Sequence, residues 1–466
     1  MDFKACFTQV KNRSVELWKF KFFRYSIFLH LFYFVFSIII TIVFFPNTND
    51  FYVYYRVGEI FVNDPANLYN PANYADIWPF RYFPLSALLF VPFYLMGFEL
   101  GFIVFNLINL ILNVMISIIL YKLILLIRRE DHEKEENRVI LYICLYLIGL
   151  PQVFNYILGQ INLYITLLIL LSLFIFLKYK DNKWQFIASF LLGISIIIKP
   201  TTIFMIPFLI MLNYDYNNKK LKLDFTRSFL RLIGVILPLS LNIIVFLIYP
   251  GLLNGFLETN FTGSETVLLN HSFSITKLIS NFFLYIGVPA TELSVLPIFL
   301  SVLLILGSIS FIFYVFRRFY RNSLIYGYTF GILIMFLAYF DSWDHHLLNL
   351  TPLLVVILFN LPRNSELTRK YIKPSFFFLN FFDLAFMGIF WLTKLFFPFN
   401  FASTIFLILI FIGIIKKTRR DSLSEIKNIE KNTKRKSLNT IKNTTRQTKK
   451  KYQNDLKSIE KQTKKE

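Results

Sequence analysis

Along the chain the apolar residues fall into long unbroken blocks separated by short polar segments. There is neither the strict alternation of a half-buried strand nor the three-to-four spacing of a surface helix. Blocks of this length predict membrane-spanning helices. They run Tyr25 to Phe45, Gly101 to Ile127, Val139 to Leu150, Ile161 to Leu177, Trp184 to Ile198, Thr201 to Leu212, Ser228 to Tyr249, Leu293 to Phe316, Leu324 to Phe340, Leu347 to Leu361, Phe376 to Leu395 and Ala402 to Ile415. That is about twelve spans in an all-α polytopic membrane protein. The run Phe83 to Met96 contains Pro84 and Pro92, and counting it as a span would place the next basic loop outside, so it reads as an interfacial or half-inserted helix. The chain divides into a basic N-terminal segment (1–24), a membrane domain (25–415) and a basic tail (416–466).

Charge orients this pattern. With the N-terminus in the cytoplasm, 43 of the 49 Lys and Arg fall on the inner side, as the positive-inside rule requires. Lys122 can snorkel from the inner end of its helix, and only Arg56, Arg81, Lys199, Lys277 and Lys394 fall on or near the outer side. The unusual polar clusters go outward as well. They are 47–82, 151–160, the Lys199-Pro200 junction, 251–281 and 341–346. A transporter places such groups at mid-membrane on broken helices. Their gathering at one face predicts an enzyme whose pocket opens at the outer interface of the cell membrane.

Composition adds limits. The chain has 466 residues, 56% hydrophobic and 19% aromatic, and Tyr recurs near the ends of the apolar blocks, where its ring suits the interface. Two cysteines, Cys6 and Cys144, leave no disulfide framework and no cysteine-based metal site. The first apolar block ends in Pro-Asn-Thr-Asn with no small-residue cleavage pattern, so it is expected to be a retained helix. Much of the net charge of +21 comes from the 18 Lys and Arg of the tail, which lack the aromatic interleaving of a nucleic-acid site. The tail is expected to lie disordered or weakly helical on anionic lipid, with no nucleic-acid partner.

Within the outer clusters, Asp50 follows the first block directly and has the chemistry of a general base toward a hydroxyl, while an N-cap role competes with that reading. Arg81 lies in the aromatic and proline-rich stretch Trp78 to Pro84, where membrane anchoring competes with a phosphate or acceptor contact. Gln160 and Asn162 put two amides at the outer start of a helix, suited to sugar hydroxyls or to capping. Lys199 places a lone ammonium at a chain break before Pro200, a point-charge partner for phosphate or a snorkelling cation. Asn270 and His271 lie in the long outer loop. Asp341, Asp344, His345 and His346 separate two apolar blocks, where charge is costly unless water, a partner or a substrate meets it. Adjacent histidines on a helix point about 100° apart, which suits one metal ion poorly. No metal and no cofactor is expected.

The order of these motifs resembles glycosyltransferase family 87, the polyprenyl-phosphate-mannose-dependent mannosyltransferases of the GT-C membrane superfamily. The resemblance rests on Asp50 and Tyr54, Leu68-Tyr69, Pro79 to Pro84, Gly159 to Asn162, Ile198-Lys199-Pro200, Asn270 to Ser272, and Ser342 to His346. It covers roughly residues 40 to 360. A double proline of the family pattern reads Phe83-Pro84 here, and the proline often found ahead of the last motif is missing.

The resemblance implies a GT-C fold and transfer of a hexose, namely mannose, from a polyprenyl-phosphate donor to a glycan or glycolipid acceptor with inversion. By it, Asp50 deprotonates the acceptor; Lys199, His345 and His346 receive the departing lipid phosphate; and Tyr54, Arg81, Gln160, Asn270, His271 and Asp344 contact substrate. Membrane lipids are the remaining partners. A transporter or flippase of lipid-linked sugars would need polar groups through the membrane depth, and a metal-dependent hydrolase would lose activity on chelation.

Overall fold

The computed structural model describes residues 16–423 apart from 47, 75–76, 130–134, 263–271, 318–321, 384–397, 399–400 and 421. Asn270, His271, Lys394 and most of the basic tail lie outside the described residues.

Among the described residues five helical stretches are long and apolar enough to cross a membrane: Lys21–Phe44, Phe98–Ile127, Glu136–Leu158, Phe225–Ile248 and Val295–Val315. Shorter apolar helices, Asn162–Lys178, Asn182–Ile198, Ser323–Ala338 and Leu347–Asn360, stand where further spans were expected. Seventeen residues of α-helix, as in the first two of these, rise about 26 Å, a little less than a hydrocarbon core. The block expected at Thr201 to Leu212 is instead a 3₁₀ helix, Pro200–Leu209, in which Pro207 removes a donor that an α-helix would use. The run Phe83 to Met96 breaks into a 3₁₀ turn, Pro84–Leu89, and a short helix, Val91–Leu95. A small hairpin was not expected: Leu212–Asp215 pairs antiparallel with Lys220–Leu223, closed by Asp215 accepting the Asn217 N–H at 3.0 Å.

Two helices are apolar all round because neither meets lipid. All of Ser323–Ala338 and thirteen of the fourteen residues of Leu347–Asn360 are buried. Asp341 to His346 joins these two. A second, smaller core gathers Phe51, Tyr54, Phe90, Phe93, Phe102 and Phe105 around the helix Asp50–Asn63. Close packing anchors the Lys199 junction, since Gly193 and Gly234 let the helices Asn182–Ile198 and Phe225–Ile248 approach. A Cβ on Gly193 would lie 2.6 Å from the Val235 carbonyl oxygen.

Polar groups also run deeper than the sequence suggested. Pro151 has no N–H to give the Leu147 carbonyl four residues earlier, and the helix Glu136–Leu147 breaks there before Leu150–Leu158 begins. His30 supplies the missing donor from Nδ1 at 2.8 Å, and the Tyr33 hydroxyl donates to the Ile148 carbonyl at 3.2 Å. Beside this break Asn106, Asn109 and Asn113 form one buried stripe on the helix Phe98–Ile127. Their amides donate to the Tyr156 carbonyl at 3.2 Å, the Gln160 carbonyl at 3.5 Å and Gln152 Oε1 at 2.9 Å. The expectation that polar groups gather only at the outer face is therefore corrected. This interior array is bonded largely to itself.

Candidate active site

Between the two cores lies a cavity of about 570 Å³. It is lined by Asp50, Tyr54, Arg81, Gln160, Lys199, Asp344, His345 and His346, every described residue to which the resemblance gave a catalytic, phosphate-binding or substrate-binding role, whereas Asn162 is not among its lining residues.

Asn49 caps the Asp50–Asn63 helix, its side chain accepting the Tyr52 N–H at 2.8 Å. The capping role considered for Asp50 is thus taken by its neighbour, and the Asp50 carboxylate turns into the cavity. Gln160 Nε2 donates to it. Gly159 makes that contact possible: it ends the Leu150–Leu158 helix at φ 65°, and a Cβ there would lie 2.5 Å from Phe51 Cβ. The other end of the Gln160 amide accepts from the Tyr54 hydroxyl at 3.0 Å and from Lys199 Nζ at 3.2 Å. Lys199 also donates to Asn162 Oδ1 at 3.0 Å, and its ammonium lies 5.6 Å from the centre of the Tyr82 ring.

Burial sets the charges on this wall. Desolvation pushes the Asp50 carboxyl up to about 6, against the Gln160 bond and the nearby Lys199 charge, which favour the carboxylate. The same effect pulls the Lys199 ammonium down to about 7, against the attraction of Asp50 and Asp341. One carboxylate and one ammonium thus titrate close to neutrality and are linked through a single amide.

The opposite wall is built on Asp341 to His346. Arg81 Nη1 donates to Asp341 Oδ2 at 2.6 Å, and Trp343 Nε1 donates to Asp341 Oδ1 at 2.5 Å. Arg81 is therefore committed to an ion pair as well as lining the cavity. Asp344 to His346 forms a single 3₁₀ turn rather than a helix face. The divergence expected of two helical neighbours is not realised, and the two imidazole centres lie 4.3 Å apart. The Trp343 N–H donates to His346 Nδ1 at 3.1 Å, which leaves the proton of the neutral ring on Nε2. Burial first, and then the Lys199 charge, hold both histidines well below the ordinary imidazole value. They are neutral hydrogen-bonding groups, not cations.

Asp344 is bonded to the carboxyl of Asp383, and its own value is raised by burial. Two carboxyls can share a hydrogen bond only when one keeps a proton. Sequence reasoning missed Asp383, Asn162 as a partner of Lys199, and Asn260, which lines the cavity with its amide donating to the Phe256 carbonyl at 2.9 Å. Among the described residues no group of three or more His, Cys, Asp or Glu is placed to hold a metal ion.

The site thus offers a carboxylate able to take a proton and an ammonium and neutral imidazoles able to meet an anion, all in one cavity of a membrane protein. Glycosyltransferase family 87 matches residues 80–339 of the chain, just over half its length, and the chain belongs to that family. It is a membrane glycosyltransferase, with a sugar donor and an acceptor as its substrates. The matched range contains Arg81, Gln160 and Lys199, whereas Asp50 and Asp341 to His346 lie outside it and share the same cavity. No curated protein and no solved structure matches the chain.

Proposed function

We propose that the protein transfers a hexose, namely mannose, from a polyprenyl-phosphate donor to a glycan or glycolipid acceptor at the outer face of the cell membrane, with inversion. The observation that carries this reading is the Gln160 amide, which holds the Asp50 carboxylate at one end and takes Lys199 at the other. A base and an anion partner are thereby held one amide apart in the same cavity. Asp50 takes the acceptor hydroxyl proton as the oxygen attacks the anomeric carbon, and the lipid phosphate leaves with the electrons of the broken C–O bond. Because that phosphate is already anionic, Lys199 and the Nε2–H of His346 stabilise it on departure, with His345 beside them. Tyr54, Gln160 and Arg81 hold the sugar's surroundings, and Asp344 is hydrogen-bonded to Asp383. Asn270 and His271 belong to this substrate-binding set by the resemblance alone.

A GT-C arrangement of about twelve spans, with both termini in the cytoplasm, puts this cavity outside. The basic-residue asymmetry supports that orientation. Cysteines introduced at the exposed positions Asn63 and Asn364 test it in intact cells: an impermeant reagent labels the first and spares the second, and the reverse overturns the orientation. For the activity, purified protein is given polyprenyl-phosphate mannose, glucose and galactose in turn. Transfer from the mannose donor with inverted anomeric configuration is expected. Transfer with retention, or hydrolysis alone, overturns the reading.

A further inference from the structure

Two kinds of group line the cavity. Phe154, Leu158, Ile203 and Phe204 are apolar, and Ile203 is exposed on the outside of the fold. Trp78 and Trp343 are two indoles with ring centres 6.4 Å apart and planes at 58°. Trp78 is 53% exposed. Trp343 is held in place by its bond to Asp341, which Arg81 fixes in turn.

The two groups suit different chemistry. A polyprenyl chain needs a continuous apolar wall, and the ion pair Arg81–Asp341 beside the indoles interrupts one. A pyranose ring needs the reverse. One of its faces is a patch of C–H bonds that rests on an aromatic face, while its equatorial hydroxyls need charged or amide partners at the ring edge. An exposed indole, a second indole locked at an angle to it, and a carboxylate and a guanidinium at their edge meet both needs. Trp78 read from sequence alone is a membrane anchor, but an anchor needs neither the second ring nor its fixed orientation.

We propose that Trp78 and Trp343 form the acceptor subsite, a stacking platform for a pyranose ring, so that the hydroxyl delivered to Asp50 belongs to a sugar and not to a lipid alcohol. This rests on the reading of Asp50 as base and of the apolar lining residues as the donor's.

The test uses the full chain in nanodiscs with a polyprenyl-phosphate hexose that the wild type accepts. The acceptors are methyl α-mannopyranoside, methyl α-glucopyranoside, methyl β-galactopyranoside and n-decanol. At least one pyranoside is expected to be used. For it, Trp78→Ala raises the acceptor KM roughly threefold to tenfold, the scale of an aromatic contact, while the donor KM stays within about twofold and Trp78→Phe restores most of the loss. In parallel the same pyranoside quenches tryptophan emission of the wild type, and Trp78→Phe removes most of that quenching among the five tryptophans of the chain. An unchanged acceptor KM in Trp78→Ala, or use of decanol with all pyranosides ignored, overturns the platform and leaves the transferase reading standing. Quenching that depends on Trp78, with no transfer from any polyprenyl-phosphate hexose, supports the platform and overturns the polyprenyl-phosphate donor reading.

Discussion

On one wall of the cavity Asp50 and Lys199 are each pushed toward neutrality by burial and meet only through Gln160. On the other, Asp341 is already matched by Arg81 and Trp343, Asp344 by Asp383, and both histidines are neutral. Both walls carry acids and bases, yet only the first keeps a carboxylate and an ammonium whose protonation can change during turnover. Burial with incomplete compensation gives a group that can exchange a proton near pH 7, whereas burial with a full set of partners gives a fixed scaffold. The wall holding Asp50 is proposed to move the proton, and the hexapeptide to shape the anion's seat.

The largest effect expected from breaking this contrast is on turnover. Asp50→Asn keeps the size of the side chain and removes the base, and the rate of transfer is expected to fall by roughly a hundredfold or more. Initial rates at saturating donor check it. A near wild-type rate would overturn the assignment of Asp50 as the base.

Lys199→Ala is expected to act on the other half of the reaction. The apparent donor KM should rise about tenfold or more, because the phosphate loses its ammonium partner, with a smaller loss of turnover from the weaker stabilisation of departing charge. The same change removes a charge that favours ionised Asp50, so the acid limb of the pH profile should move to higher pH in this variant.

For the wild type, kcat/KM for donor is expected to be bell-shaped. It rises as Asp50 loses its proton near pH 6 and falls as Lys199 loses its charge near pH 7. In kcat the alkaline limb should lie higher, since a bound phosphate anion favours the charged ammonium. A flat profile from pH 5 to 9 would sever the link between the wall's titration and the chemistry.

The smallest effect expected is that of chelation. Asp341 and Asp344 are engaged with other side chains, and no trio of ligand side chains converges among the described residues. EDTA is therefore expected to leave the transfer rate unchanged. Activity lost on chelation and restored by one divalent ion would favour a metal-assisted reaction.

Much of the site was legible because the membrane makes polar residues conspicuous. Asp50, Gln160, Lys199 and the histidine pair each interrupt or border an apolar block, and all line one cavity. Their partners were not legible, since Arg81 and Asp341 are separated by 260 positions and Asp344 meets Asp383 across the core. Local sequence offered Asp50 as the helix cap, whereas Asn49 takes that place. The stripe Asn106, Asn109 and Asn113 did carry a signal, three amides on one helical face, but single amides barely lower the hydropathy of so long a block. Helix type at Pro200–Leu209 depended on two prolines whose effect on length and pitch only the packed structure displays.

The division of labour between the walls is tested most directly by donor binding without turnover. Polyprenyl-phosphate mannose is titrated into wild type, Asp50→Asn and Lys199→Ala in the absence of acceptor, after equal expression and thermal stability are established. The account predicts that Asp50→Asn binds donor within about threefold of wild type while Lys199→Ala binds roughly tenfold or more weakly. Lost binding in Asp50→Asn with full binding in Lys199→Ala would contradict it.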